Sequence, residues 1–199
     1  MRVKLYIEGG GKGELADVEF RAGWNHFFKA AGLGGRMPRV VRGGSRERAF
    51  DLFARAVQEA NPEQAPALLV DSEKAVRPGR SRWHHLKEHD GWTPPHGCKE
   101  EQLHLMVQVM ETWFLADRGC LRSYFGADLR ERHLPDWPDL EAVAKSEVLD
   151  ALDRATAACG DRKYGKGRTS FELLERLNPA EVEARCPSAR SLLAFLRGS

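Results

Sequence analysis

The sequence predicts an α/β protein: a mostly parallel four-stranded sheet flanked by helices, with a helical extension at its carboxyl end. Three observations carry that reading. Val3-Lys4-Leu5-Tyr6-Ile7 is an apolar-rich run that ends in Glu8 and is stopped at once by Gly9-Gly10-Gly11-Lys12-Gly13. Ala67-Leu68-Leu69-Val70 repeats that logic and ends in Asp71-Ser72-Glu73. Around these runs, helical periodicity alternates with short apolar segments, the β-α-β-α-β rhythm of right-handed crossovers.

Taken in order, residues 3–7 form the first strand. Phe20, Trp24, Phe27, Phe28 and Ala31 recur at three- and four-residue steps, which predicts a helix ended by Gly32 and Gly34. Pro38-Arg39-Val40-Val41-Arg42 predicts a second strand, stopped by Gly43-Gly44. Ser45 is the expected cap of a helix with Ala49, Phe50, Phe53, Ala54 and Val57 on one face, closed by Asn61-Pro62. Residues 67–70, apolar without interruption, suit the middle of a parallel sheet.

Residues 74–100 are rich in Arg, His, Trp, Pro and Gly and are expected as an elaborated functional loop, or a helix between loops. Residues 103–110 predict a fourth strand that delivers Glu111 at its carboxyl end. The remainder reads as helical. Pro135-Asp136-Trp137-Pro138 is a rigid connector, and Ser146 starts a helix bearing Val148, Leu149, Leu152 and Ala155. A basic loop covers 162–168, Ser170 is the expected cap of the next helix, and Asn178-Pro179-Ala180-Glu181 has the form of a capping box. A last helix is expected over about 188–196. The chain thus divides into an α/β core, 1–118, and a helical extension, 119–199, packed on it rather than independent.

The 199 residues, 42% of them hydrophobic, are enough for one compact core. A net charge of +2 excludes a global field for nucleic acid, so local clusters must make that case. Cys98, Cys120, Cys159 and Cys186 stand singly, without a CxxC pair, as reduced thiols do. The chain enters a strand without an apolar leader and has no run long enough to span a bilayer, so the expectation is a soluble, cytoplasmic protein.

If the first and third strands are parallel neighbours, Glu8, Asp71 and Glu73 emerge on one edge. In open α/β sheets, that edge is where ligands bind. Carboxylates gathered there suit Mg²⁺ or Mn²⁺, hard cations that take oxygen ligands and serve phosphoryl chemistry. The competing reading is that each acid is a solvated turn residue or a helix cap. Basic groups flank the same edge: Arg36, Arg39, Arg42, Arg46 and Arg48 around the end of the second strand, and Lys74, Arg77, Arg80, Arg82 and Lys87 after the third. Such groups position a phosphate backbone, or else are ordinary solvated faces.

Other constellations are weaker. The glycine loop is not a P-loop, because Lys12 precedes Gly13-Glu14 rather than Ser or Thr; Lys12 retains the option of touching a phosphate through the loop's backbone. His85 and His89 have the i,i+4 spacing of zinc ligands and lie near His96 and Cys98, but the closing pair has the wrong gap for common zinc modules. No Gly-x-Ser-x-Gly elbow supports serine hydrolase chemistry.

The strand-Glu-Gly and strand-Asp-x-acid pattern resembles the TOPRIM fold of primases, topoisomerases and OLD-type nucleases. More closely, the chain resembles a group of small bacterial proteins catalogued as domain of unknown function forty-two seventy-six, placed among TOPRIM-like proteins. The likeness rests on 5–11, 39–44, 69–73 and 104–117, the block Met110-Glu111-Thr112-Trp113-Phe114-Leu115-Ala116-Asp117 being its most specific part. Glu141 with Lys145 and the run 164–172 also fit. The resemblance implies a Rossmann-like sheet and a metal-dependent nuclease acting on DNA or RNA with one or two Mg²⁺ or Mn²⁺ ions. Glu8, Asp71 and Glu73 would be catalytic metal ligands, with Glu111 a further ligand and Lys166 a charge-stabilising lysine. Lys12, Arg42, Arg46, Lys74 and Arg168 would meet phosphates. The second acid of the Asp-x-Asp pair is here Glu73, one methylene longer. The likeness also implies an antiviral defence role with a separately encoded ATPase partner and no membrane, leaving oligomerisation open. The alternative is a TOPRIM-like module that binds the ATPase or nucleic acid without turnover.

Overall fold

The computed structural model describes residues 2–9, 14–59 and 63–198. Lys12 and the Asn61-Pro62 stop lie outside the described residues. Four strands, β1 (Arg2–Glu8), β2 (Arg39–Gly44), β3 (Gln64–Asp71) and β4 (Leu103–Met106), form one sheet in the order β2-β1-β3-β4. Every pairing is parallel. Helices α1 (Glu14–Phe28), α2 (Arg46–Gln58) and α3 (Arg82–Asp90) lie within the successive crossovers. Beyond the sheet come α4 (Glu111–Ala116), α5 (Arg118–Phe125), α6 (Lys145–Ala155), α7 (Arg168–Arg176), α8 (Pro179–Arg185) and α9 (Pro187–Arg197).

The period-2 alternation of the strands sorts the core into two layers. Leu5, Ile7, Ala67, Leu69 and Met106 join Phe20, Trp24, Phe27 and Phe28 of α1 on one face. Tyr6, Leu68, Val70, Leu103 and Leu105 join Ala49 and Phe53 of α2 and Trp83 and Leu86 of α3 on the other. The α1 face continues without a break into Trp113, Leu121, Leu152, Phe171 and Leu193 of the later helices. Trp24 stacks on Phe28 with centroids 5.4 Å apart and meets Trp113 edge-on at 5.8 Å. Phe20 meets Phe171 edge-on at 5.4 Å, which brings α7 onto α1. Gly23 permits that approach, since a Cβ there would lie 2.9 Å from the Phe171 carbonyl oxygen. Burial of these rings carries the segment before α7 to the carboxyl edge of the sheet.

The strand order has a functional consequence. From β1 the chain crosses over the α1 face to β2; from β3 it crosses over the α3 face to β4. The crevice between β1 and β3 is therefore the topological switch point, where open α/β sheets bind ligands.

Several expected boundaries move. β2 continues through Gly43-Gly44, because Gly43 without a Cβ lets the α2 backbone lie against it. β4 ends at Met106, not residue 110. Val107 and Val109 are buried in a turn, so the apolar run there reflects burial rather than strand pairing. Glu111 is consequently the first residue of α4. Ser146 and Ser170 lie inside the first turns of α6 and α7, which begin at Lys145 and Arg168. Ser45, by contrast, accepts from the Arg48 N–H at 3.3 Å, and Asn178 accepts from the Ala180 N–H at 3.1 Å with Pro179 following. Residues 74–100 are a helix between loops, capped by Ser81. Among the described residues no helix is long and apolar enough to cross a membrane. The four cysteines are free thiols.

Candidate metal centre

β1 and β3 end side by side on Glu8 and Asp71, and Glu73 follows two residues past the end of β3. Glu8, Asp71 and Glu73 each offer a carboxylate oxygen, and these oxygens lie within 4.8 Å of one another. Among the described residues this is the one group of three or more His, Cys, Asp or Glu side chains able to meet on an ion. His85 and His89 do share a helix face, with ring centroids 4.5 Å apart, but His96 and Cys98 do not join them. His85 is buried and its Nε2 lies 2.8 Å from the Ser72 carbonyl, so it buttresses the turn between Asp71 and Glu73.

Each acid is held by a separate device. The Asp71 N–H donates to Glu8 Oε2 at 3.4 Å, tying the two strand ends together. The buried Asp71 carboxylate accepts the Met110 N–H at 2.9 Å, which draws the turn before α4 over the end of β3. Glu73 adopts the left-handed backbone conformation, φ 64°, while its N–H donates to the Gln108 carbonyl at 2.9 Å. Its carboxylate receives the Lys145 ammonium from the start of α6.

Glu111 is buried beside this group. Its Oε1 accepts the Tyr164 hydroxyl at 2.6 Å and lies 3.9 Å from Lys166 Nζ. Tyr164 also lies 3.1 Å from Ser170 Oγ. A cleft of about 200 Å³ opens over Glu8, Asp71, Glu111 and Lys166, with Gly9 and Gly167 on its walls. Lys166 therefore shares the cleft with the acids.

The basic residues divide. Arg46 grips Asp90 through two bonds of 2.8 and 2.9 Å, reaches Glu8 Oε2 at 3.3 Å and donates to the Asp71 carbonyl. Its guanidinium also lies over the Trp92 ring, 5.1 Å from the centroid. Arg42 bonds Asp17 and donates to the Gly9 carbonyl at 3.3 Å, bracing the chain just past Glu8. Lys74 is exposed next to Glu73. Arg168 pairs with Glu172 at 2.7 Å on the exposed side of α7. Arg82 leaves the acidic edge altogether: it donates to the Leu103 carbonyl at the start of β4.

Burial raises Glu8 above its ordinary range, against the opposing pull of Arg46. Burial raises Asp71 much further, and repulsion from Glu8, Glu111 and Glu73 adds to it. A cluster of hard oxygen donors that resists carrying its own charge fits a divalent cation such as Mg²⁺ or Mn²⁺.

Lys145, Gln108 and Tyr164 fall in stretches that fit the family pattern, but their bonds to the acids are not legible there, because the partners lie far off in the chain. Lys145 does not pair with Glu141, whose carboxylate instead accepts from Ser188 N–H and Oγ at 2.8 and 3.0 Å. The signal for Tyr164 lay in a buried-type aromatic inside an otherwise basic, glycine-broken loop.

The sequence model of one protein family, described as "Domain of unknown function (DUF4276)", matches residues 8–197. No curated protein and no solved structure matches the chain.

Proposed function

Since the chain belongs to the DUF4276 family, whose description assigns no chemistry, we propose its function from the cleft: a Mg²⁺- or Mn²⁺-dependent phosphodiesterase of TOPRIM-like type that cleaves nucleic acid. The observation that carries this reading is the meeting of Glu8, Asp71 and Glu73 oxygens within 4.8 Å at the switch point of the sheet. When bound, the ion supplies Lewis-acid polarisation of a phosphate held against it.

The chain's own residues have the following roles in this reading. Glu8, Asp71 and Glu73 hold the ion, with Glu111 the further carboxylate at the cleft floor. Arg46 orients Glu8 and the Asp71 backbone rather than meeting substrate, and Arg42 steadies the Gly9 turn. Lys166, half-exposed at the cleft mouth, offers its ammonium to a non-bridging phosphate oxygen. Lys74 and Arg168 are left to meet flanking phosphates from the rim. Tyr164 keeps Glu111 aimed into the cleft.

Titrating Mn²⁺ into the protein by calorimetry and then assaying plasmid and RNA cleavage tests the assignment. Binding by the parent protein, with cleavage abolished in Asp71→Ala, is the expected result. Equal cleavage by that variant would reject it.

A second reading is a TOPRIM-like module that binds a partner without turnover. It is favoured by Glu73 and Glu8 already being countered by Lys145 and Arg46. Mn²⁺ binding without cleavage, alone and with a partner ATPase, would select it. That partner and a role in antiviral defence rest on the family resemblance, and co-purification with a neighbouring ATPase tests them.

A further inference from the structure

A large cavity lies at the rim of the sheet opposite the acids. β1 runs from Arg2 to Glu8, so the two ends of the strand are separated by roughly 20 Å of extended chain. About 1530 Å³ opens there, between the beginnings of β1 and β3, the 34–37 turn and the end of α9. That volume accommodates an organic ligand of nucleotide size, which the acidic cleft of about 200 Å³ does not.

The wall has a definite chemistry. Arg2, Arg36 and Arg82 line it against two acids, Glu63 and Glu101. The Arg2 side chain has no hydrogen bond or ion pair among the described residues and faces solvent. Arg36 and Arg82 are each anchored to a backbone carbonyl, of Arg197 and Leu103, which orders their guanidinium groups.

His104 adds an independent observation. It is 2% exposed and belongs to the same wall, with its ring tilted against Phe195 at 4.7 Å. Its Nδ1 lies 3.3 Å from Arg82 Nη1. A guanidinium can only donate, so Nδ1 accepts and the proton of the neutral ring sits on Nε2. That Nε2 is buried without a well-aligned hydrogen-bond partner among the described residues, the ring having a backbone contact with Glu101 besides. Native structures rarely leave a buried donor without an acceptor.

Guanidinium groups, an N–H short of a well-aligned acceptor and the Phe195 ring suit one ligand chemistry: a phosphate ester carrying a ring. We propose that this cavity is a second ligand site, separate from the acidic cleft, that takes a nucleoside monophosphate group. The group is either a free nucleotide or the phosphorylated end of a nucleic-acid chain.

Calorimetry with adenosine 5′-monophosphate, inorganic phosphate and a 5′-phosphorylated hexathymidylate, in chelator, tests it. The parent protein is expected to bind the nucleotide more tightly than phosphate. Arg2→Gln, at an exposed side chain, should weaken nucleotide binding roughly ten-fold, the loss that accompanies one charge-assisted hydrogen bond. Arg36→Gln should act similarly, with thermal melts reporting that both variants fold. Asp71→Asn should leave binding unchanged, which separates this site from the acidic cleft whether or not that cleft is a nuclease. Tighter hexathymidylate than nucleotide identifies a chain end as the occupant, and equal affinity identifies the free nucleotide. No binding of either probe, or binding abolished by Asp71→Asn and indifferent to Arg2→Gln, overturns the proposal.

Discussion

The Asp71 backbone N–H donates to the Glu8 carboxylate at 3.4 Å, so the end of β3 steers the side chain that ends β1. The same aspartate offers its carboxylate to the Met110 N–H at 2.9 Å. One residue thus joins two strand ends to the entrance of α4, and the cluster's electrostatics follow from that crowding.

Burial first, then repulsion from neighbouring carboxylates, raises Asp71 well above its ordinary 3.8, and burial raises Glu8 above 4.5. A carboxyl group with a raised folded-state pKa contributes its stability in full below the unfolded value and loses it as pH climbs through the folded value. In chelator the protein is therefore expected to lose thermal stability as pH rises from about 4 upward. Added Mn²⁺ should restore it, more strongly at higher pH, because binding displaces protons. Asp71→Asn should flatten the profile and melt higher than the parent in chelator at alkaline pH. Melting curves across pH with and without Mn²⁺ read all of these.

Lys145 and Glu73 are about a third exposed, 30% and 36%, so their ion pair contributes less than about 1 kcal/mol to folding. Lys145→Met is expected to leave the melting temperature nearly unchanged. It removes the cation that competes for Glu73, so Mn²⁺ should bind a few-fold tighter by calorimetry. Weaker binding would mean instead that Lys145 aims Glu73 at the ion.

Glu73 sits at φ 64°, a conformation that favours glycine. Glu73→Gly is expected to stabilise the fold by up to about 1 kcal/mol while abolishing tight Mn²⁺ binding. Urea denaturation alongside calorimetry would register the two effects with opposite sign. A destabilised variant would mean that the Lys145 contact outweighs the backbone strain.

A Cβ at Gly43 would lie 2.3 Å from Ala49 Cβ and 2.6 Å from Ala49 Cα. Gly43→Ala must push α2 off the sheet, costing about 1–3 kcal/mol, and Arg46 moves with the start of that helix. Weaker Mn²⁺ binding should accompany the lost stability. Gly34→Ala, into open space at φ −51°, should stay within about 0.5 kcal/mol of the parent.

Tyr164 donates to a carboxylate that is only 2% exposed. Its burial and the adjacent Glu111 hold the phenol above its usual pKa, so it remains a donor throughout the working range. Tyr164→Phe leaves Glu111 short of that partner and should cost about 1–3 kcal/mol by chemical denaturation. An unchanged stability would mean that Lys166, now 3.9 Å away, closes onto Glu111 instead.

Much of this architecture was legible locally. Residues 3–7 and 67–70 announce strands through apolar runs ended by acids, and Ser45 and Asn178 announce helix starts through their side-chain oxygens. Local pattern misleads where one signal has two causes. Val107 and Val109 are as apolar as strand residues, yet they are buried beyond the end of β4. Ser170 looks like a cap but spends its hydroxyl on Tyr164. The arginine clusters looked like one positive rim; in the fold Arg46 holds carboxylates and Arg82 faces the opposite end of the sheet.

By itself the sequence determined the alternation of strands and helices and the chemistry waiting at each strand end, because backbone preference and side-chain periodicity act within a few residues. Only the tertiary structure decided that β1 and β3 are neighbours flanking the switch point. It alone brought Lys145, Tyr164 and Lys166 to acids that lie far earlier in the chain. Those encounters depend on how buried rings such as Phe20 and Phe171 pack helices onto the sheet. Packing of that kind is set by the shape of the whole core and not by any stretch of it.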